Sequence, residues 1–284
     1  MKTKLIDYVD NGPIFITGHV NPDGDALGSA FALKLFLDTQ NIISDVDFDI
    51  TTKLPSNLNH LPYHLISDDL KEKYNTVFVF DCGNSSRLGK YEEVVLAAEN
   101  VVVIDHHVDP SFGDVQIIDP HAASTTQVLF RQFKDENIEI NEEMANCLLT
   151  GLITDTGRFQ YSNTTSEVFS IAAELLGNGA NLSKISENIY GSIEFNALTL
   201  QSKIIERIVL NEDLQFAHSI VFQNDYKDYQ VEPEETDFLI DVVRLVKEST
   251  VALLIKEQED GSFKGSLRSR GDIDVQKIAS IFGG

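Results

Sequence analysis

The sequence predicts a mixed α/β protein: a parallel-sheet domain followed by a smaller α+β domain. Three observations carry that expectation. Over the first 190 or so residues, short apolar runs alternate with helical patterns, as in chains of βαβ units. Two of those runs, Val77 to Phe80 and Val101 to Ile104, are wholly apolar, as strands covered on both faces are. Beyond that point the order changes to strand, helix, strand, strand.

In chain order, Ile14 to Thr17 reads as the first strand and Ala26 to Leu37 as the helix after it, with Leu27, Phe31 and Leu35 on one face. Val46 to Ile50 is a weaker strand, since Asp45, Asp47 and Asp49 alternate with apolar residues. Leu54 to Asp69 reads as loop, broken by Pro55 and Pro62, with His60 and His64 on the surface. Val77 to Phe80, Val101 to Ile104 and Val115 to Ile118 complete the sheet. Helices are expected over Ala123 to Phe133, Asn141 to Thr150 with Asn141 as cap, Thr165 to Leu176 and Leu182 to Ile189. A linker helix over residues 191–210 then leads into the second domain, 211–284. There strands are expected over Leu214 to Phe222, Thr250 to Lys256 and Phe263 to Ser269, with a helix over Pro233 to Lys247.

With 284 residues, there is length for two domains and a sizeable core. No apolar run reaches 18 residues and the N-terminus lacks a signal-like apolar core, so neither a membrane nor export is expected. Cys82 and Cys147 are far apart, which disfavours a disulfide framework and suits a reducing cytoplasm. The net charge is −23, from 22 basic and 45 acidic residues. Long nucleic acid usually needs a broad basic surface, so it is excluded as a partner. A nucleotide substrate would be short and held locally by metal ions and a few cations. Solubility alone also accounts for most of the acidity.

Chemistry concentrates where the apolar runs stop. His19-Val-Asn-Pro-Asp23-Gly-Asp25 follows the first strand, Asp81 follows the second apolar run and Asp105-His106-His107 the third. Asp155 lies in Gly151-Leu-Ile-Thr-Asp155-Thr-Gly157 after a buried helix. Ligands of open parallel sheets bind beyond the carboxyl ends of the strands. Six ligand-type side chains, His19, Asp23, Asp25, Asp81, His106 and Asp155, are therefore expected to converge. Four aspartates brought together repel one another, and divalent cations supply the missing charge. Mixed carboxylate and imidazole ligands favour Mn²⁺, with Mg²⁺ the alternative. Each motif has a plainer reading: Asp25 alone as a helix cap, and Asp105-His106-His107 as a hydrogen-bonded turn.

The set His-x-x-x-Asp-x-Asp, a lone strand-end Asp, Asp-His-His and Gly-x-x-x-Asp-Thr resembles the DHH phosphoesterases. The C-terminal Gly265-Ser-Leu-Arg268-Ser-Arg270 and Ile281-Phe282-Gly283-Gly284 resemble the DHH-associated domain, in the oligoribonuclease and phosphoadenosine-phosphate phosphatase branch. That branch closes its last glycine run with a histidine, whereas this chain stops after two glycines, which reads as a C-terminal truncation. The resemblance implies one cation on His19, Asp23 and Asp81 and a second on Asp25, Asp81, His106 and Asp155, with Asp81 bridging. It also implies that His107 sits beside the scissile phosphate and that Asp105 fixes a neighbouring histidine. A two-metal site with ions about 3.5–4 Å apart suits in-line displacement at phosphorus.

On the substrate side, Arg268 and Arg270 share a strand face and read as a phosphate clamp or as a solvated face. Gly283 and Gly284 would let backbone approach a phosphate. Ser124 and Thr125 open a helix whose N-terminus would bind phosphate or simply be capped. Arg87 and His121 are weaker contacts, and His218 is structural. The resemblance implies hydrolysis of short oligoribonucleotides, including pApA, and removal of the 3′-phosphate of phosphoadenosine phosphate, by a monomer or homodimer with its site between the two domains. A pyrophosphatase or polyphosphatase on the same metals, and a non-catalytic nucleotide-binding regulator, are the alternatives.

Overall fold

Gly18 ends one fully buried strand and Phe80 ends its neighbour, and between them the chain's direction of travel across the sheet reverses. The computed structural model describes residues 4–9, 12–51, 53–108, 110–191, 193–236, 238–271 and 273–282. The chain forms two compact units, Met1–Gly191 and Ser192–Gly284.

The first unit is built on β1 (Ile14–Gly18), α1 (Gly24–Thr39), β2 (Ser44–Val46), β3 (Thr76–Phe80), α2 (Glu92–Leu96), β4 (Asn100–Asp105) and β5 (Val115–Ile118). All strand pairings are parallel and the order is β2-β1-β3-β4-β5. β1 thus feeds β2 on one side, while β3, β4 and β5 follow on the other. That is the switch point at which open α/β sheets leave a crevice. Alternation of side chains sorts the strands into two layers. Ile14, Ile16, Phe78, Phe80, Val102 and Ile104 join the larger core on one face. Phe15, Val77, Val79, Val101 and Val103 pack with Tyr74, Leu88 and Tyr91 on the other.

Four helices complete the larger layer: α3 (Thr125–Asp135), α4 (Glu142–Asp155), α5 (Ser166–Gly177) and the short α6 (Leu182–Ser186). Asn141 caps α4 as expected, its side chain accepting the Met144 amide. α1 is buried almost throughout because it lies beneath α4 as well as on the sheet. The approach is close: a Cβ at Gly28 would stand 2.4 Å from the Cys147 carbonyl oxygen. No helix among the described residues is long and apolar enough to cross a membrane.

The second unit comprises α7 (Phe195–Glu206), β6 (Val209–Asn211), β7 (Phe216–Val221), α8 (Gln223–Tyr229), α9 (Leu239–Arg244), β8 (Val251–Glu257), β9 (Phe263–Ser269) and α10 (Val275–Ile281). Its sheet, β6-β7-β8-β9, is mixed: only β7 and β8 run parallel. Leu200, Ile204, Val221, Leu239, Val243 and Leu254 form its core.

Several expectations need correction. α1 begins at Gly24, not Ala26, because Asp23 rather than Asp25 is its cap and accepts the Asp25 and Ala26 amides. β2 is Ser44–Val46; the Asp47 amide still donates to the Ile16 carbonyl at 3.2 Å, and beyond it the chain leaves the sheet, with the Asp47 carboxylate on the Tyr91 hydroxyl and that of Asp49 on the Lys90 amide. The helix expected over 191–210 is no linker, since Leu200 and Ile204 belong to the second core and Val209 already pairs with His218. The helix expected over 233–247 is shorter: a 3₁₀ turn at Pro233–Thr236 precedes α9. α8 went unforeseen. His60 is half-buried rather than on the surface, with Nε2 2.9 Å from the Thr150 hydroxyl.

Candidate metal centre

His19 is the first residue past β1, Asp81 the first past β3, and Asp105 the last of β4, followed by His106 and His107. The parallel register places these three strand ends side by side, with Gly18 opposite Phe80 and Phe80 opposite Ile104. Asp81 makes the turn out of β3 with a left-handed φ of 54°, a conformation that Asp tolerates better than most residues. Its amide donates to the Ile104 carbonyl at 3.1 Å, so the backbone is fixed where the side chain leaves the sheet.

Asp23 arrives as the cap of α1, Asp25 on its first turn, and Asp155 as the last residue of α4. Asp155 is therefore helical, not in a turn after the helix. The α1–α4 crossing brings these residues together, and small residues permit it. A Cβ at Gly151 would lie 2.5 Å from Asp25 Oδ1 and 2.5 Å from Thr126 Cγ2. A Cβ at Gly24 would lie 2.6 Å from Thr154 Cγ2.

The six expected ligand residues do converge. His19 Nε2 lies 3.9 Å from Asp23 Oδ1 and 3.6 Å from Asp81 Oδ2. His106 Nε2 lies 3.6 Å from Asp81 Oδ1 and 3.3 Å from Asp155 Oδ2. Ligand atoms of His19, Asp23 and Asp81 lie within 4.8 Å of one another, as do those of Asp25, His106 and Asp155. Asp81 faces both groups, one oxygen to each.

The tautomers suit ligation. His19 Nδ1 is 2.9 Å from the Val20 carbonyl, which can only accept, so the proton sits there and Nε2 faces the carboxylates. His106 Nδ1 is similarly turned towards the Ala122 carbonyl, at 3.4 Å.

Asp105 plays a different part. It is fully buried, and its Oδ1 accepts the His106 and His107 amides and lies 2.7 Å from His107 Nδ1. The plain hydrogen-bonded turn considered above is thus present, and it also orients an imidazole. His107 Nδ1 is 3.4 Å from Asp81 Oδ1.

The titration of these residues by themselves is that of a proton-holding cluster. Burial, then the nearby charges of Asp81 and Asp23, push Asp25 well above the usual carboxylate range. Burial and the Asp25 charge do the same to Asp155. Burial would lower His19, but the Asp23 and Asp81 carboxylates facing its Nε2 raise it to about 10. Burial would raise Asp81, but the histidines around it bring it down. Hard oxygen donors, two imidazoles and an excess of negative charge fit divalent cations, which would take the place of the protons.

Asp25 is held by a device that sequence reasoning missed. Its Oδ2 accepts the Thr125 amide at 2.6 Å and its Oδ1 the Thr126 amide at 2.9 Å. The positive end of α3, read above as a phosphate site or a plain cap, receives this carboxylate. The Thr125 hydroxyl donates to Asp81 Oδ1 at 3.1 Å. Ser124 is fully buried and its Oγ accepts the Gln127 amide at 3.1 Å. Its assignment to substrate therefore gives way to capping.

In the second unit, Arg268 is exposed and its guanidinium donates to the Leu267 carbonyl at 3.0 Å. Arg270 is engaged elsewhere: it donates to the carbonyls of Arg244, Val246 and Lys247, at and beyond the C-terminus of α9. The expected clamp is thus one exposed guanidinium and one spent on backbone. Gly283 and Gly284 lie outside the described residues. Arg87 and His121 are exposed, and the Val20 amide meets Arg87 only at its backbone carbonyl, at 2.7 Å.

A sheet whose strand ends gather this ligand set defines a class of protein, and comparison with known proteins agrees. Residues 13–152 match the DHH family, N-terminal domain. The chain is 32% identical to the bifunctional oligoribonuclease and PAP phosphatase NrnA of Thermus thermophilus, over 96% of this chain and 81% of that protein. It is 26% identical to the protein of the same name from Bacillus subtilis, over 100% of this chain and 90% of that one. An exopolyphosphatase-related protein of known structure from Bacteroides fragilis superposes with a TM-score of 0.90 at 25% identity, over 98% of this chain and 85% of that one. The chain belongs to the DHH family.

Proposed function

We propose that the chain is a metal-dependent hydrolase of phosphoester bonds that acts on short oligoribonucleotides, linear dinucleotides such as pApA, and the 3′-phosphate of phosphoadenosine phosphate. One observation carries this reading: two adjoining ligand groups at the switch point of the sheet, His19, Asp23 and Asp81 in one and Asp25, His106 and Asp155 in the other, with Asp81 Oδ2 3.6 Å from His19 and its Oδ1 3.6 Å from His106. The named activities of the Thermus and Bacillus relatives support the choice of substrates.

His19, Asp23 and Asp81 would hold one divalent cation, and Asp25, Asp81, His106 and Asp155 the other, with Mn²⁺ favoured. When bound, the cations supply the charge that acidifies water and balances negative oxygens at phosphorus. The protein's own acid is His107. Its hydrogen bond to the Asp105 carboxylate, then the Asp81 carboxylate beside it, raise it to about 10 in the cation-free chain, which holds the imidazole protonated at neutral pH. Water adds its hydroxyl to phosphorus and gives its remaining proton to solvent, the bond to the leaving oxygen breaks, and that oxygen takes the His107 proton, which solvent then restores. Arg268, which is exposed, would offer its guanidinium to a substrate phosphate.

The reading is tested by offering a short RNA, phosphoadenosine phosphate and pyrophosphate in parallel with Mn²⁺. Mononucleotides and AMP are expected. Pyrophosphate as the far better substrate would overturn it in favour of the pyrophosphatase alternative.

A further inference from the structure

The hydroxyl of Thr125 is buried, at 0% exposure, and donates to Asp81 Oδ1 at 3.1 Å, while its amide donates to Asp25 Oδ2 at 2.6 Å. One residue at the start of α3 therefore grips two candidate ligands that come from different parts of the chain.

The Asp81 carboxylate must serve two directions. Its Oδ2 is the atom near His19, and its Oδ1 is the atom near His106. Rotation about the bond to the carboxyl group is the soft torsion of an aspartate. A donor on Oδ1 favours one rotation and so helps settle which oxygen looks to which side; the Thr125 hydroxyl, at 3.1 Å, approaches Oδ1 more closely than His107 Nδ1, at 3.4 Å. Asp25 gets the corresponding treatment from two backbone amides, which no substitution at a side chain removes. The side-chain contribution of Thr125 thus falls on Asp81.

We propose that Thr125 is a positioning residue for the cation pair, fixing the rotation of the Asp81 carboxylate so that Oδ1 is presented to the ion on the His106 side. This rests on the two-cation reading above. Groups that hydrogen-bond to metal ligands typically contribute about 10–100-fold to affinity. Thr125→Val keeps the branched shape and the amide but loses the donor. Thr125→Ala loses donor and bulk. Thr125→Ser keeps the donor.

Titration calorimetry with Mn²⁺ alone, on the full chain, tests this without reference to turnover. The wild-type chain should take up two ions. Thr125→Val and Thr125→Ala should each weaken one of them by about 10–100-fold, and Thr125→Ser should stay close to wild type. A role confined to packing would instead make Thr125→Val the mildest change. Two wild-type affinities in Thr125→Val, or Thr125→Ser as impaired as Thr125→Val, would overturn the inference while leaving the cation reading in place. No Mn²⁺ uptake by the wild-type chain would overturn both.

Discussion

His107 Nδ1 lies 2.7 Å from Asp105 Oδ1, and that oxygen also accepts the amides of His106 and His107. The imidazole is thereby fixed in orientation and in charge, while its ring remains part-exposed beside Asp81.

The first prediction concerns that imidazole. His107→Ala should lower kcat by about 10²–10⁴-fold, the usual contribution of a positioned general acid. It should still bind two Mn²⁺, because the proposed ligand sets do not need it. Loss of one ion from His107→Ala would show that His107 is a ligand.

The same group gives a pH signature in chelator-treated protein. Its folded-state value is raised to about 10 by Asp105 and then Asp81, while the unfolded chain titrates near 6.5. The folded state therefore holds this proton more tightly. The stability it contributes is complete below about pH 6.5 and is lost as pH climbs towards 10. The melting-temperature gap between wild type and His107→Gln should shrink across that window; a gap that widens with pH would contradict the assignment.

Asp25 and Asp155, raised by burial and by neighbouring carboxylates, must give up protons to bind cations. Mn²⁺ affinity should rise with pH, and binding should release protons, read as a dependence of calorimetric enthalpy on buffer ionisation heat. An enthalpy that is the same in all buffers would argue that the carboxylates are already ionised.

Gly151→Ala should disturb the site from behind. The new Cβ would press on Asp25 Oδ1 and on Thr126. A loss of about 1–3 kcal/mol in unfolding free energy is expected from overpacking, together with weaker Mn²⁺ binding. Unchanged binding would mean that Asp25 yields without cost.

The two arginines of β9 and its end should separate cleanly. Arg270→Ala removes charged donors from three carbonyls and should cost about 1–3 kcal/mol of stability. Arg268→Ala should leave stability unchanged and raise KM for phosphoadenosine phosphate. The opposite pattern, with KM moved by Arg270 alone, would restore the view of Arg270 as a substrate contact.

The central strands were legible because burial on both faces leaves an uninterrupted apolar run, and the ligand residues because each stands where such a run stops. Val77 to Phe80 followed by Asp81 is the plainest case. What escaped depends on partners distant in sequence. Nothing local to Thr125 marks it as the donor to Asp25, 100 residues earlier. Asp23 and Asp25 are both competent caps, and it is the distant start of α3, whose amides receive Asp25, that separates them. Arg268 and Arg270 share a strand spacing, yet Arg270 lies just past the end of β9, near the open carbonyls at the end of α9, and is used there. The helix expected at 191–210 was misread because a core-forming helix and a linker helix have the same period.

The account turns on cations at the lip of the sheet. The most direct measurement is anomalous diffraction from crystals of the chain grown with Mn²⁺. Two peaks are predicted, one among His19, Asp23 and Asp81 and one among Asp25, Asp81, His106 and Asp155. A map with no peak among these side chains would contradict the account.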